Sequence, residues 1–161
     1  MQLAFFLSIA LALLAWGIFS ALYVWPQLRD RPRADALRPL LLLHAFRFIG
    51  LSFLVTGVVS PDLPARFAQS AAYGDLVAVL LALLALATLR RRAGIVFVWV
   101  FNVWGTFDLL DAFFQAAASN LSPGQLGATF FIPTFAVPLM LITHGLIFRI
   151  LFKPRTPAGA G

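Results

Sequence analysis

The chain has 161 residues, 61% of them hydrophobic and 11% charged, with twelve Lys and Arg against six acidic residues for a net charge of +6. All six acids are aspartate and there is no cysteine, which excludes disulfides, thiol chemistry and cysteine-based metal sites. A soluble domain would be about a quarter charged, and the basic residues here sit between long apolar runs rather than on a soluble face, which excludes a nucleic-acid-binding protein.

The first run is uncharged from Met1 through Leu28. It is too long for the roughly 7–15-residue core of a signal peptide, and no basic stretch precedes it. It reads as a retained first span, residues 3–25, closed by Pro26, which has no N–H to continue a helix. A linker of mixed charge, from Arg29 to Asp35, separates it from a second span at residues 38–59, which ends before Ser60-Pro61. The third span stops at Arg90-Arg91-Arg92. Counted from Leu76 it falls short of the roughly 20 residues that a span needs, so it begins near Phe67 and takes in Asp75. The fourth covers residues 94–117. The fifth covers 126–152 and contains Pro133 and Pro138. The Pro-Gly-Ala tail, 154–161, reads as disordered. The expected architecture is an all-α integral membrane protein, a single bundle of five transmembrane helices in residues 1–153.

Charge orients the bundle. Arg29, Arg31, Arg33 and Arg38, then Arg90, Arg91 and Arg92, then Arg149, Lys153 and Arg155 all fall on one side of a five-span chain, and the opposite loops hold only Arg66. That side is cytoplasmic by the positive-inside rule. The N-terminus is then outside, the C-terminus inside, and the expected location is a bacterial inner membrane. Tyr23 and Trp25 mark one interface and Tyr73 the other.

Small residues let helices approach in lipid, and the third span spaces Gly74, Ala78 and Ala82 by four, with Ala71 and Ala85 beside them. This predicts a central helix. A packed face within the bundle is the plainer reading of the stripe, and the seam of a homo-oligomer is the alternative. The seventeen phenylalanines are inexpensive in lipid and are expected to face acyl chains.

Polar groups inside spans carry most of the functional information, since an ionisable residue at mid-helix costs roughly 2.5–3.5 kcal/mol to insert. At about 1.5 Å of rise per residue, His44, Arg47, Asn102 and His144 lie about 8–13 Å from the cytoplasmic boundary, and Asp75 and Asp108 about 21 Å. His44 and Arg47 share a helix face, as do Asp108, Asp111 and Gln115. Asn102 is turned about 120° from Asp108, which predicts that the two line different walls. Arg47 keeps its proton and lies too deep to snorkel cheaply, so it calls for a carboxylate, Asp75 or Asp108. The layers differ by roughly 8 Å, within reach of a long side chain and some tilt. Such a pair could simply fix helix packing, or Arg47 could be the counter-charge for an anionic or polar ligand.

His44 and His144 stand at similar depth on different helices, as a bis-histidine haem b requires. Proton handling is a second reading. The plain one is a hydrogen bond from each to a nearby carbonyl or hydroxyl, Thr143 being adjacent to His144. A metal site lacks a carboxylate at their depth. The fifth span's prolines free backbone carbonyls, as in a simple kink or in the broken helices of transporter sites.

Hydrolase, zinc-protease and phosphate-loop motifs are missing, so nothing points to an enzyme. In size and span number the chain is similar to the five-helix translocator (tryptophan-rich sensory) family. Its tryptophans, Trp16, Trp25, Trp99 and Trp104, are not arranged in that family's motifs, and no membership follows. Three functions remain: a membrane protein that binds or transports a small polar or anionic ligand through Arg47, Asp75, Asp108, His44, Asn102 and His144; a haem-carrying electron-transfer protein; and a non-catalytic subunit with structural Arg–Asp pairing. Lipid is a partner in all three.

Overall fold

The computed structural model describes residues 2–91 and 93–153. The expected tail at 154–161, with Arg155, and Arg92 of the third-loop cluster lie outside the described residues. Five helices are long and apolar enough to cross a membrane: α1 (Gln2–Leu28), α2 (Arg33–Leu54), α3 (Ala65–Thr88), α4 (Gly94–Ala118) and α5 (Ile132–Phe152). Among the described residues there is no strand, only an isolated bridge between Thr56 and Val59 in the loop after α2.

Three of the helices depart from regular α geometry, and proline accounts for two of the departures. Pro26 does not end α1. The turn before it, Ser20–Val24, widens to a π-helix that closes with the Trp25 N–H on the Ser20 carbonyl, and the helix continues to Leu28. A wide turn of this kind accommodates the bond that proline cannot make. In α5 the segment Ile132–Ala136, around Pro133 and just before Pro138, is likewise π-helical. Its Phe135 carbonyl receives a hydrogen bond from Trp16 Nε1 of α1 at 3.3 Å. Residues 126–130, expected to open the fifth span, belong instead to a separate 3₁₀ segment, Pro123–Phe130, broken at Gly127, whose φ is +54°. The Ala128 N–H reaches back to the Val58 carbonyl at 2.9 Å and ties this segment to the loop after α2.

The third departure has no proline. From Ala45 to Leu54, α2 is a 3₁₀-helix, far longer than the usual three or four residues. Three residues per turn eclipses side chains at i and i+3, and His44, Arg47, Gly50 and Phe53 form one buried column at that spacing.

α3 lies between α4 and the 3₁₀ half of α2, while α1 rests chiefly on α5. The small-residue stripe explains the central place: Ala78, Ala82 and Ala85 are completely buried inside the bundle, so this face is already occupied intramolecularly. Two apolar clusters divide the interior lengthwise. One, at the end carrying Arg29, Arg33 and Lys153, is built on Leu28, Leu37, Leu41, Val98, Phe101 and Ile147. Lys153 Nζ donates to the Arg29 carbonyl at 2.6 Å, Arg33 donates to the Lys153 carbonyl, and the Arg149 guanidinium lies 4.0 Å over the Trp25 ring. The other cluster, at the opposite end, is built on Phe53, Leu63, Phe67, Ala72 and Leu126. A band of buried polar residues separates them.

Candidate functional site

Arg47 is the centre of that band. The 3₁₀ column of α2 points it between α3, α4 and α5, where its side chain is 2% exposed. Its Nε donates to Asp75 Oδ1 of α3 at 2.6 Å, and its Nη2 donates to Asp108 Oδ2 of α4. Nη1 donates to the Gly105 carbonyl at 3.2 Å and stands 3.4 Å from His144 Nε2. Arg47 therefore takes both candidate carboxylates rather than one. The rigid fork of a guanidinium suits it to several acceptors at once.

Three glycines make room for this arrangement. A Cβ on Gly50 would fall within the Asp75 carboxylate, 2.7 Å from its Cγ. A Cβ on Gly74 would fall within that of Asp108, again 2.7 Å from Cγ. On Gly105 it would lie 2.6 Å from His144 Cε1 and 3.0 Å from Arg47 Nη1. Each glycine removes the atom that would stop a charged side chain from lying against a neighbouring backbone.

Behind Arg47 the polar chain continues toward the basic end. Asn102 Nδ2 donates to the His144 carbonyl at 3.3 Å, which leaves Asn102 Oδ1 to face His144 Nδ1 at 2.7 Å. Nδ1 must then carry the proton, and Nε2 is the acceptor that faces Arg47. Asn102 and Asp108 point to different sides of α4, and of the two only Asp108 lines the cavity beyond Arg47. Arg47 and His144 bridge the angle and join them in one network. His44 Nε2 meets Thr143 Oγ1 at 3.1 Å, and that hydroxyl also lies 3.0 Å from the Leu139 and Met140 carbonyls. His44 Nδ1 is buried without a partner among the described residues. The two imidazoles pack on each other with centroids 4.1 Å apart, and Phe101 lies 5.0 Å and 5.2 Å from them. Axial haem ligands stand on opposite faces of a porphyrin, and rings in mutual contact leave no gap for one. The residues do not fit that group.

On the other side of Arg47 the network opens onto a cavity of about 470 Å³ bounded by α1, α3, α4, α5 and Phe53 of α2. Asp75 and Asp108 form its charged floor, with side chains 12% and 15% exposed. Its walls are mainly apolar, led by Phe5, Phe67, Leu109, Phe113 and Ile132, with Gln2 and Asn120 as the other polar groups. Arg47, His44, Asn102 and His144 do not line it. The six candidate residues are thus joined in one region but divide by role: two carboxylates face the cavity, and Arg47, His44, Asn102 and His144 support them. Sequence reasoning missed Gly50 and Gly105 as parts of the site, and took Gly74 only for packing. Their signal was their place three residues from Arg47, one residue from Asp75 and three residues from Asp108.

The family model described as Domain of unknown function (DUF8737) matches residues 4–152, so the chain belongs to that family. No curated protein and no solved structure matches it.

Proposed function

We propose that this member of the DUF8737 family is a five-span integral membrane protein, N-terminus outside and C-terminus inside, that binds a small ligand in the outer half of its bundle. The observation that carries this is the cavity of about 470 Å³ floored by Asp75 and Asp108, because pockets for small molecules are mostly apolar with a few converging polar groups. The membrane setting is supported by the outer surface, where Leu3, Leu14, Phe107, Phe114 and Phe131 are all at least 60% exposed. Such a surface would be an aggregation hazard in water. Orientation is supported by Arg29, Arg31, Arg33 and Lys153 gathering around one hollow at the end of the bundle away from the cavity.

An anionic ligand, one of the expected classes, is disfavoured by the same geometry. Arg47 is covered, and its charge is committed to two carboxylates that stand between it and the cavity. A polar ligand with an apolar body fits better. The π-helical turn of α5 that contributes Ile132 and Pro133 to the wall is a place where the cavity could widen. Transport would further require the packed core around Phe101 and Ile147 to part.

The test is photo-labelling in phosphatidylcholine nanodiscs with three diazirine-bearing aryl-alkyl probes that differ only in head group: ammonium, alcohol or carboxylate. At least one is expected to label Phe5, Phe67 or Phe113, with labelling lost in the cavity-filling Ala112→Trp. If no probe labels the cavity, the reading fails. The native chain has no cysteine, so single cysteines report orientation cleanly. Asp62→Cys is expected to react with an impermeant maleimide on intact cells, and Asp30→Cys only after permeabilisation.

A further inference from the structure

Resting on that reading, we propose that the ligand is a monovalent organic cation: an amine whose ammonium head sits between Asp75 and Asp108 and whose apolar body fills the phenylalanine-lined cavity. Charge counting is the first argument. The triad of buried Arg47 and Asp75 with part-buried Asp108 holds one guanidinium and two carboxylates, a formal surplus of one negative charge, and Asp111 stands one turn further along α4. In a low-dielectric interior such a surplus calls for a counter-charge. Among the described residues the one cation of the site, Arg47, lies on the far side of the carboxylates.

Hydrogen-bonding capacity is the second argument. Asp75 uses Oδ1 and Asp108 uses Oδ2 to accept from Arg47. Among the described residues, no hydrogen bond reaches Asp75 Oδ2 or Asp108 Oδ1. An ionised carboxylate only accepts, so both vacant oxygens call for a donor, and an ammonium brings three. Asn120 and Gln2, the remaining polar residues of the wall, are uncharged.

The walls are the third argument. Phe5, Phe6, Phe53, Phe67 and Phe113 surround the space above the floor. An aromatic face attracts a nearby cation, most strongly when the site is dry. Among the described residues no three metal-ligating side chains converge here to hold a metal ion. The wall's apolar extent suits the hydrocarbon of an amine.

The three-probe experiment separates this inference from the reading on which it rests. Neutral phosphatidylcholine is used because an anionic bilayer would itself concentrate an ammonium. The ammonium probe is expected to label the cavity at least tenfold more than its alcohol and carboxylate isosteres, and an unreactive ammonium of the same shape should compete. Asp108→Asn, which leaves Arg47 its pair with Asp75, should reduce ammonium labelling tenfold or more without reducing that of the alcohol. Equal labelling by the alcohol means that the surplus carboxylate holds a proton rather than a ligand cation. Stronger labelling by the carboxylate probe means that an anion is bound. Either result overturns the inference and leaves the cavity a ligand site; silence from all three probes overturns both. If Asp108→Asn does not fold, the head-group series on the native protein decides the question alone.

Discussion

The two halves of the bundle use similar residues to opposite ends. At the basic end, Leu37, Leu41, Val98, Phe101 and Ile147 close into a core with those five at 1% exposure or less. At the other end, Phe5, Phe67 and Phe113 are just as apolar and leave a cavity of about 470 Å³. The contrast comes from what holds the helices. The basic end is cross-tied by the contacts among Arg29, Arg33 and Lys153 and by Arg149 over Trp25. The opposite end is held by loop contacts, such as Ala128 to Val58 and Ser60 to Gln125, and α1 leans on α5 with a kinked turn beneath it. In the proposed membrane setting there is little hydrophobic drive to close such a space. The open half therefore persists only if the polar band between the halves is rigid.

The most severe way to break that contrast is Arg47→Leu. It strands the buried Asp75 and the part-buried Asp108, and removing one partner of a buried ion pair costs about 3–5 kcal/mol. The expected result is a large loss of thermal stability in detergent. Arg47→Leu/Asp75→Leu/Asp108→Leu should recover most of it, because replacing a whole buried ionic cluster with apolar residues is often neutral. If the triple variant is as unstable as the single one, Arg47 contributes through contacts other than the two carboxylates.

Next in size is the glycine frame. Gly105→Ala puts a methyl against the His144 ring and Arg47 Nη1, and overpacking of this kind costs about 1–3 kcal/mol. Gly145→Ala on α5 is the control, since a Cβ there meets nothing within 4 Å. Its thermal midpoint should hold or rise slightly, as alanine is the better helix former by about 1 kcal/mol. A pair of enlargements then compares the halves directly. Ala78→Leu intrudes on the closed α3 face and should cost about 1–3 kcal/mol, whereas Ala112→Leu grows into the cavity and should shift the thermal midpoint little. Equal losses would mean that the cavity is not open space. Among the changes expected to destabilise, the smallest loss is that of Thr143→Val. It removes the hydroxyl at His44 Nε2 while keeping the shape, at about 0.5–1.5 kcal/mol for one hydrogen bond.

Five long apolar helices were legible because period and length are local properties, and α3 could be restored to length only by taking in Asp75. The polar band was legible as a set of residues, since charge inside an apolar run stands out in any sequence. Its wiring was not. Depth counted at α-helical rise and facing counted at 100° per residue placed Asn102 and Asp108 on different walls. Neither estimate could foresee that Arg47 would hold both carboxylates and connect to Asn102 through His144. The cavity was invisible, because it depends on how far α1 and α5 stand from α3 and α4, and no single segment encodes that distance. Pro26 misled because proline's missing N–H can be absorbed by one wide turn.

The 3₁₀ stretch of α2 also gives the site a reading frame. His44, Arg47, Gly50 and Phe53 recur every third residue on one line, and one residue turns such a helix by about 120°. Adding or deleting a single residue between Ala45 and Leu54 would swing everything beyond it a third of a turn out of line, whereas three residues would restore the facing and advance it by about 6 Å. Insertions here should thus be tolerated in triplets or not at all, a pattern that a simple insertion scan can read without any knowledge of the ligand.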